Sequence, residues 1–367
     1  MKKLRNVMFV FLLLTAVICV GLGLTYRHYS SPVGGSSESI SVTIPEGSTN
    51  GQIAETLEKA DLIRSTTFFK VYLKLFRIND LKAGKYSLNK EMSLKEIVDK
   101  LKEGNHYSEE EISITFKEGI TMRGVATAIA NNTNNTEDDV MNVFKDTEYL
   151  KSLINDYWFI TDAILDSKIY YPLEGYLFPD TYRFASKNVT VKEIFTKLLD
   201  QMDKVLTPFK TDIESNKLNV HQILTLASII EKEVRNNDEY RKKAASVFEN
   251  RMKRGMSLGS DVTTYYALKI DNAKDYIKEK CGGKNCINYK VASPYNTRLT
   301  DGTMNGKLPV GPISTISESS IKAVLNHDTT DYIYFISNIN TGEMFFYTNA
   351  REFEAKKAEL SKINGGL

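Results

Sequence analysis

The sequence has 367 residues, of which 42% are hydrophobic and 26% charged, a composition typical of globular proteins and a length sufficient for two or three folded units. Lys and Arg number 48 against 46 Asp and Glu, so the net charge of +2 gives no electrostatic case for a nucleic-acid partner. The four histidines are scattered (His28, His106, His221 and His327) and the cysteines lack metal-ligand spacing, so we expect no metal and no other cofactor.

The N-terminus predicts the compartment. Basic residues at positions 2–5 precede the uncharged run Val7–Leu24, whose 18 residues would span roughly 27 Å as a helix, close to the ~30 Å apolar core of a bilayer. Because positive flanks stay cytoplasmic, we predict a signal anchor with the body of the protein outside. A cleaved signal peptide is the main alternative, but no Ala-x-Ala site follows the run. A lipoprotein signal at Cys19 is disfavoured by the bulky Ile18 before it.

A strand–turn–helix pattern occurs twice after the Ser/Gly/Pro-rich linker. The segments Val42–Thr49 and Ile114–Thr121 each contain a short apolar strand and a Glu-Gly turn, and each ends in a threonine that can cap the following helix. The first copy continues through a second helix, the strand Ala83–Leu88 and a helix capped by Ser93. This order, strand–helix–helix–strand–helix, predicts a small binding module.

The larger part of the chain begins near Ile112 and mixes helices with short strands, which predicts an α+β fold. Cys281 and Cys286 could close a small disulfide loop if this part lies outside the cytoplasm, with two free thiols as the alternative. The other predicted elements are a polar loop at 131–139, amphipathic helices at Val191–Leu206 and Val220–Val234, a hairpin of Tyr332–Ser337 and Glu343–Thr348, and a final helix at Ala350–Ile363.

The stretch Tyr171–Tyr182 is the first candidate for chemistry. Glu174 lies between two prolines and before a glycine, in a run too irregular for a helix interior. Nearby aromatic residues (Tyr171, Tyr176 and Phe178) could exclude water from its carboxyl group and raise its pKa, as a general acid requires. The alternative is a surface glutamate in a turn. Asp180 is expected to be buried and to hold loop amides.

Four further segments carry polar residues in ordered positions. On the helix containing Leu226–Glu233, Glu231 could point into a cleft or pair with Arg235 one turn on, and Glu233 is expected to face solvent. The segments Ser246–Tyr266, Ser293–Thr297 and Leu308–Ile313 place polar groups on constrained turns that could fix a substrate or could simply be rigid connections.

Taken together, the order LEGYLFPDTY, ASIIEKE, VFENRMKRGMSLGSD, SPYNT and LPVGPI resembles the YceG-like family of endolytic murein transglycosylases from the anchor to the last hairpin. The resemblance implies a cytoplasmic tail at 1–6, an anchor at 7–26, a linker at 27–39, a LysM-like peptidoglycan-binding module at 40–105 and a catalytic domain at 106–367. It also implies that Glu174 is the acid/base catalyst. One departure is that Gly342–Phe346 lacks the histidine common in relatives, so we assign that segment no catalytic role.

The reaction that this resemblance implies is non-hydrolytic cleavage of the MurNAc–GlcNAc bond in nascent strands, which forms a 1,6-anhydro end and terminates strand elongation. Glu231, Tyr295 and Asn296 are the candidates for orienting the sugars. The expected partners are glycan strands, the cell membrane, peptidoglycan synthases and the division or elongation machinery. The alternatives are a muramidase that uses Glu174 and Glu231 as a pair, and a non-catalytic peptidoglycan-binding scaffold.

Overall fold

The chain folds as α+β, as the sequence predicts. The computed structural model describes residues 14–15, 20–35, 38–104, 111–235 and 237–363. These residues form two compact units, which meet in sequence at Ile112 and Ser113. Within them, six short strands pair as three separate two-stranded sheets, and helices supply most of the buried surface.

The predicted anchor Val7–Leu24 lies largely outside the described residues, which include only 14–15 and 20–24 of that run. Residues 20–30 are helical. Over the ranges that the structure describes, no helix combines the length and the apolar character needed to cross a bilayer.

The N-terminal unit has the predicted order of elements. Strands β1 (Ile40–Ile44) and β2 (Gly84–Leu88) pair antiparallel, with Val42 opposite Tyr86. Their inner faces pack with the three helices around one core that includes Leu57, Phe69 and Ile97. The helices are α1 (Asn50–Lys59), α2 (Thr66–Leu75) and α3 (Leu94–Glu103), of which α3 has the predicted Ser93 capping box and a left-handed Gly104 at its end.

The repeated strand–turn–helix pattern is confirmed. Gly47 and Gly119 occupy equivalent turns with φ of 78° and 70°, where a side chain would be strained. Two residues later, the hydroxyl oxygens of Thr49 and Thr121 accept hydrogen bonds from the N–H groups of the following helices. The second helix, α4, spans Met122–Asn132 after β3 (Ile112–Thr115).

The C-terminal unit is built around α9 (Val220–Glu233), a helix that is buried on nearly all sides. Helix α13 (Glu318–Leu325) packs on α9 and on α10 (Asp238–Lys253). The other helices are α5 (Glu137–Val143), α6 (Thr147–Asp156), α7 (Val191–Leu206), α8 (Lys210–Glu214), α11 (Asp261–Ala267), α12 (Ala273–Lys280) and α14 (Ala350–Ile363), with 3₁₀ turns at Asp162–Leu165 and Thr207–Phe209. Strand β3 pairs with β4 (Thr181–Phe184), and β5 (Tyr334–Ser337) with β6 (Met344–Tyr347).

Local predictions for this unit hold with small shifts at the ends of elements. The helices predicted at Val191–Leu206 and Ala350–Ile363 have those bounds, and the hairpin strands are shorter than predicted. The predicted polar loop at 131–139 is partly helical, because α4 runs to Asn132 and α5 is capped by Thr136. Cys281 and Cys286 are joined in a disulfide just after α12.

Candidate active site

Glu174 is sealed inside the C-terminal unit, with only 1% of its surface exposed. Its Oε2 accepts hydrogen bonds from the N–H of Met122 (2.9 Å), at the start of α4, and from the hydroxyl of Tyr266 (3.1 Å), on α11. Oε1 is buried and has no hydrogen-bond partner within the described ranges. Burial raises the pKa of Glu174 to about 8, although both hydrogen bonds favour the charged form. The carboxyl group is therefore mostly protonated at neutral pH.

The aromatic residues predicted to surround Glu174 are arranged differently from expectation. Tyr176 turns away and its hydroxyl meets Nδ1 of His221 at 2.6 Å, whereas the phenol on the Glu174 carboxylate is Tyr266, from another stretch. Asp180 is exposed rather than buried, although its Oδ1 does accept the N–H of Thr181 at 2.7 Å, as a loop-holding role requires.

Gly175 explains why the segments Tyr171–Tyr182 and Leu308–Ile313 occur together. Its φ is +77°, and a Cβ atom there would overlap the ring of Pro312, lying 2.8 Å from Cγ. The segment Tyr171–Tyr182 therefore packs directly against Leu308–Ile313, and only glycine permits the approach.

Glu231 is buried, and the predicted pairing with Arg235 is wrong. The partner is Arg241 on α10, whose Nη2 lies 3.2 Å from Oε1. Oε2 accepts the N–H and the hydroxyl of Ser317 and the hydroxyl of Ser320. Because both carboxylate oxygens are occupied by protein donors, Glu231 ties α9 to α10 and to the start of α13.

Glu233 does not face open solvent as predicted but is half-buried at the end of α9. Its Oε1 accepts the hydroxyl hydrogen of Ser260 at 2.6 Å, while Oε2 makes no hydrogen bond among the residues described. Burial raises the pKa of Glu233 to about 7, opposed by the Ser260 hydrogen bond. Asp261 raises this pKa further, and the nearby guanidinium groups of Arg251 and Arg298 lower it.

Two of the candidate stretches form the wall around Glu233. Ser260 is the residue before α11, and its N–H donates to Oγ1 of Thr297 at 3.1 Å. The hydroxyl groups of Thr263 and Thr297 lie 2.9 Å apart, and Arg298 forms an ion pair with Asp261. The loop before α11 and the SPYNT loop are thereby locked together beside the Glu233 carboxyl group.

Tyr295 and Asn296, predicted to orient the sugars, are both completely buried. The Asn296 amide donates to two backbone carbonyls, and its oxygen accepts from Thr264 (2.7 Å) and from the N–H of Arg298 (3.0 Å). The hydroxyl oxygen of Tyr295 accepts the N–H of Tyr170 at 3.2 Å. In this conformation both residues hold the SPYNT loop in place, and protein partners occupy the whole side-chain amide of Asn296.

Helix α11 connects the two carboxyl groups with raised pKa values. Ser260 at its start donates to Glu233, and Tyr266 in its last turn donates to Glu174. From the sequence, neither donor had an expected role, and Glu233 was expected to face solvent. One signal was present, since a glutamate in the final turn of a helix opposes the helix dipole and is an unfavourable choice for stability alone.

Two cavities of about 840 and 800 Å³ lie elsewhere in this unit. The first is bordered by the start of α9 and the Leu308–Val310 segment, and the second by Arg241 and the start of α13. Neither is lined by Glu174 or Glu233. A long glycan, the substrate that the sequence resemblance implies, can bind in an open groove and does not require either cavity. Over the described ranges, no cluster of His, Cys, Asp and Glu could hold a metal ion.

The comparisons with known proteins agree with the resemblance seen in the sequence motifs. The model of the YceG-like family matches residues 42–359. An endolytic murein transglycosylase of Bacillus subtilis (strain 168) is 34% identical over 332 residues, which is 90% of this chain and 87% of the relative. One from Streptococcus pneumoniae serotype 2 is 30% identical over 96% of this chain, which spans 65% of that relative's length. The crystal structure of a YceG-like protein from Listeria monocytogenes is 34% identical, with a TM-score of 0.59 over 87% of this chain and 99% of that one.

Proposed function

This chain belongs to the YceG-like family, and we propose that it is an endolytic murein transglycosylase that cuts peptidoglycan glycan strands with a single carboxyl group as acid and base. The observation that carries the mechanism is Glu233. Its pKa of about 7 lets it both give and take a proton near neutral pH, and no donor from the described residues bonds to its Oε2.

We choose between Glu233 and Glu174 on their access to a substrate. A general acid must come within hydrogen-bond distance of the oxygen that it protonates. Glu174 is 1% exposed, and its Oε2 is committed to Met122 and Tyr266, so a sugar could reach it only if α4 and α11 moved. We therefore assign acid/base catalysis to Glu233. Glu174, the residue that the family resemblance suggested, becomes a protonated positioning residue that holds α11.

In the first half of the reaction, protonated Glu233 donates its proton to the oxygen between C1 of MurNAc and C4 of GlcNAc. The C1–O bond breaks as the MurNAc ring gains oxocarbenium character. In the second half, the C6 hydroxyl of the same MurNAc bonds to C1 and passes its proton to the Glu233 carboxylate. The products are a 1,6-anhydro-MurNAc end and a GlcNAc with a free 4-hydroxyl group, and no water is consumed.

A two-carboxylate hydrolase finds less support. The pair considered from sequence, Glu174 and Glu231, consists of two buried groups, and both oxygens of Glu231 bind protein donors. A water molecule activated between them would need space that these contacts occupy.

We extend the proposal to the location and to the small unit. The disulfide Cys281–Cys286 fits an oxidising, extracytoplasmic environment, in agreement with the anchor predicted at Val7–Leu24. The strand–helix–helix–strand order of residues 40–88 supports a LysM-like module that binds glycan. Peptidoglycan synthases and the division or elongation machinery are the proposed protein partners. Added protease should digest the body on wall-stripped cells, and full protection of the body would contradict this topology.

Mass spectrometry of a digest tests the reaction. Purified, uncrosslinked glycan strands are incubated with the protein in detergent, and the masses of the products are measured to identify their new ends. We expect anhydro ends, lighter by one water than the reducing MurNAc ends that a hydrolase would leave. Products with reducing ends would mean that the protein is a muramidase and not a transglycosylase. Binding of strands without any cleavage would support the scaffold alternative.

A further inference from the structure

Helix α2 of the N-terminal unit leaves an apolar face uncovered. Val71 is 56% exposed, Leu75 is 67% exposed and Phe76, at the C-cap, is 50% exposed. Val71 and Leu75 are four residues apart and so lie on the same side of the helix. The opposite side is already buried in the core through Phe69 and Leu73. This exposed face, Val71–Leu75–Phe76, is thus additional to what the fold of the unit needs.

Basic side chains border this face. Lys70 and Lys74 each precede one of its apolar residues, Arg77 follows it, and all three are exposed. None of the three forms an ion pair with the rest of the described chain. An exposed apolar stripe with a cationic border is the pattern of surfaces that lie in the interface of anionic membranes.

The same helix also holds the segment that leads from the proposed anchor. The rings of Tyr26 and Tyr29 contact Phe68 with centroid distances of 6.1 and 5.2 Å. Arg64, just before α2, donates to backbone carbonyls of residues 28–33 at 2.7–3.1 Å. Phe68 is three residues from Val71, so the segment contacts α2 beside the exposed face. The helical residues 20–30 are therefore fixed to this unit rather than joined to it by a free linker.

We propose that the Val71–Leu75–Phe76 face docks on the anionic lipid surface of the bilayer in which the anchor is inserted. Val20, Leu22 and Leu24 of the leading helix are apolar and 61–65% exposed, as lipid-facing residues would be. Because this helix is attached to α2, its entry into a bilayer brings the exposed face to the headgroup region, where its lysines meet lipid phosphates. The inference rests on the membrane anchor proposed above but is independent of which glutamate is catalytic.

The test measures the depth of a tryptophan probe in full-length protein reconstituted into phosphatidylglycerol/phosphatidylcholine vesicles. In a Trp158→Phe background, Val71→Trp places the probe on the proposed face. Thr43→Trp is the matched control, because Thr43 is an exposed residue of β1 that points away from the helices. If the face enters the headgroup boundary by about 5–10 Å, brominated acyl chains should quench at least about half of the Val71→Trp fluorescence. They should not quench the Thr43→Trp control.

The other outcomes of this experiment would overturn the docking, the anchor or the role of the lysines. Equal, weak quenching of both probes in vesicles that float with the protein would overturn the docking and leave the anchor intact. A blue-shifted Val71→Trp spectrum without bromine quenching would mean that a protein, such as a second copy, covers the face. Failure of both variants to float would overturn the anchor and the docking together. Lys70→Glu/Lys74→Glu in the Val71→Trp protein should reduce the quenching, and unchanged quenching would contradict the role of the basic border.

Discussion

The hydroxyl group of Ser260 donates a hydrogen bond of 2.6 Å to Oε1 of Glu233 and so joins the last turn of α9 to the start of α11. This contact holds the Glu233 carboxyl group in one orientation, and no other side chain or N–H within the described ranges donates to its second oxygen. It also favours the charged form, and so opposes the desolvation that raises the Glu233 pKa to about 7. Ser260 thus orients the proposed catalyst and lowers its pKa against the larger effect of burial.

Glu233→Gln should abolish most of the activity, because the amide keeps the shape of the side chain but cannot transfer a proton. We expect the rate of anhydro-end formation to fall by about 10²–10⁴-fold with little change in strand binding. Glu239→Gln, a charge-neutralising change at an exposed residue of α10, is the control and should be nearly silent. A folded Glu233→Gln protein that keeps more than about a tenth of the wild-type rate would exclude Glu233 as the proton donor.

Ser260→Ala should shift the pH dependence of the reaction. Loss of the hydrogen bond removes an interaction that lowers the Glu233 pKa, so this pKa rises above its value of about 7. Since the protonated form starts the reaction, the alkaline decline in kcat/KM should move to higher pH. Ser257→Ala is the matched control, because the Ser257 hydroxyl donates to the backbone of Thr297 and not to Glu233. If the alkaline decline in kcat/KM is not shifted in Ser260→Ala, this decline does not report the ionisation of Glu233.

Glu174→Gln should retain activity within about tenfold of the wild type if Glu174 only positions α11. The amide oxygen can still accept from Met122 and Tyr266, and the amide resembles the protonated acid that burial favours. The measurement is again the rate of anhydro-end formation, with the melting temperature as a check on folding. A loss of about 10²-fold or more in a protein of normal stability would instead make Glu174 the acid/base residue.

The stability of Glu174→Gln should depend on pH differently from that of the wild type. The pKa of Glu174 is about 8 in the folded protein and about 4.3 in an unfolded chain. As pH rises between these values, the unfolded state releases the proton first, so the stabilisation present below pH 4.3 is progressively lost up to pH 8. Glu174→Gln removes this dependence. The melting temperature of the variant, relative to that of the wild type, should therefore rise as the pH is increased from 5 to 8. Parallel melting curves over that range would contradict the raised pKa.

Local signals made much of the fold predictable. Thr49, Ser93 and Thr121 each sit at a helix start that the capping pattern indicated, and the repeated Glu-Gly turns share a left-handed glycine. These features depend on residues within a few positions of each other, so a sequence window contains their cause.

The candidate site was less predictable because its contacts join distant segments. Glu231 could be seen to need a cation, but Arg241 reaches it from the next helix, which displaced the nearer Arg235. The Glu233 carboxyl group lies beside Ser260, which residue 297 holds in place, and its burial in the folded protein raises its pKa. Periodicity within α9 carries no information about these contacts.

The two Glu-Gly pairs of the C-terminal unit, which include Gly119 and Gly175, should respond differently to the same substitution. Both glycines have positive φ, at 70° and 77°, so alanine brings backbone strain of about 1 kcal/mol at either position. At Gly119 a new Cβ would find only ordinary contacts, 3.8 Å from Cγ of Glu231. At Gly175 it would overlap Pro312, which adds about 1–3 kcal/mol of overpacking.

Gly175→Ala should therefore lower the free energy of unfolding by about 2–4 kcal/mol and Gly119→Ala by about 1 kcal/mol, measured by denaturant unfolding in detergent. Gly175→Ala should also reduce activity through displacement of the Tyr171–Tyr182 segment, whereas Gly119→Ala should not. The double variant Gly175→Ala/Pro312→Gly removes both ring atoms that the new Cβ would meet, Cβ and Cγ of Pro312, and should recover part of the loss relative to Pro312→Gly alone. Equal destabilisation by both single variants would mean that the strain at positive φ, and not the contact with Pro312, makes glycine necessary at position 175.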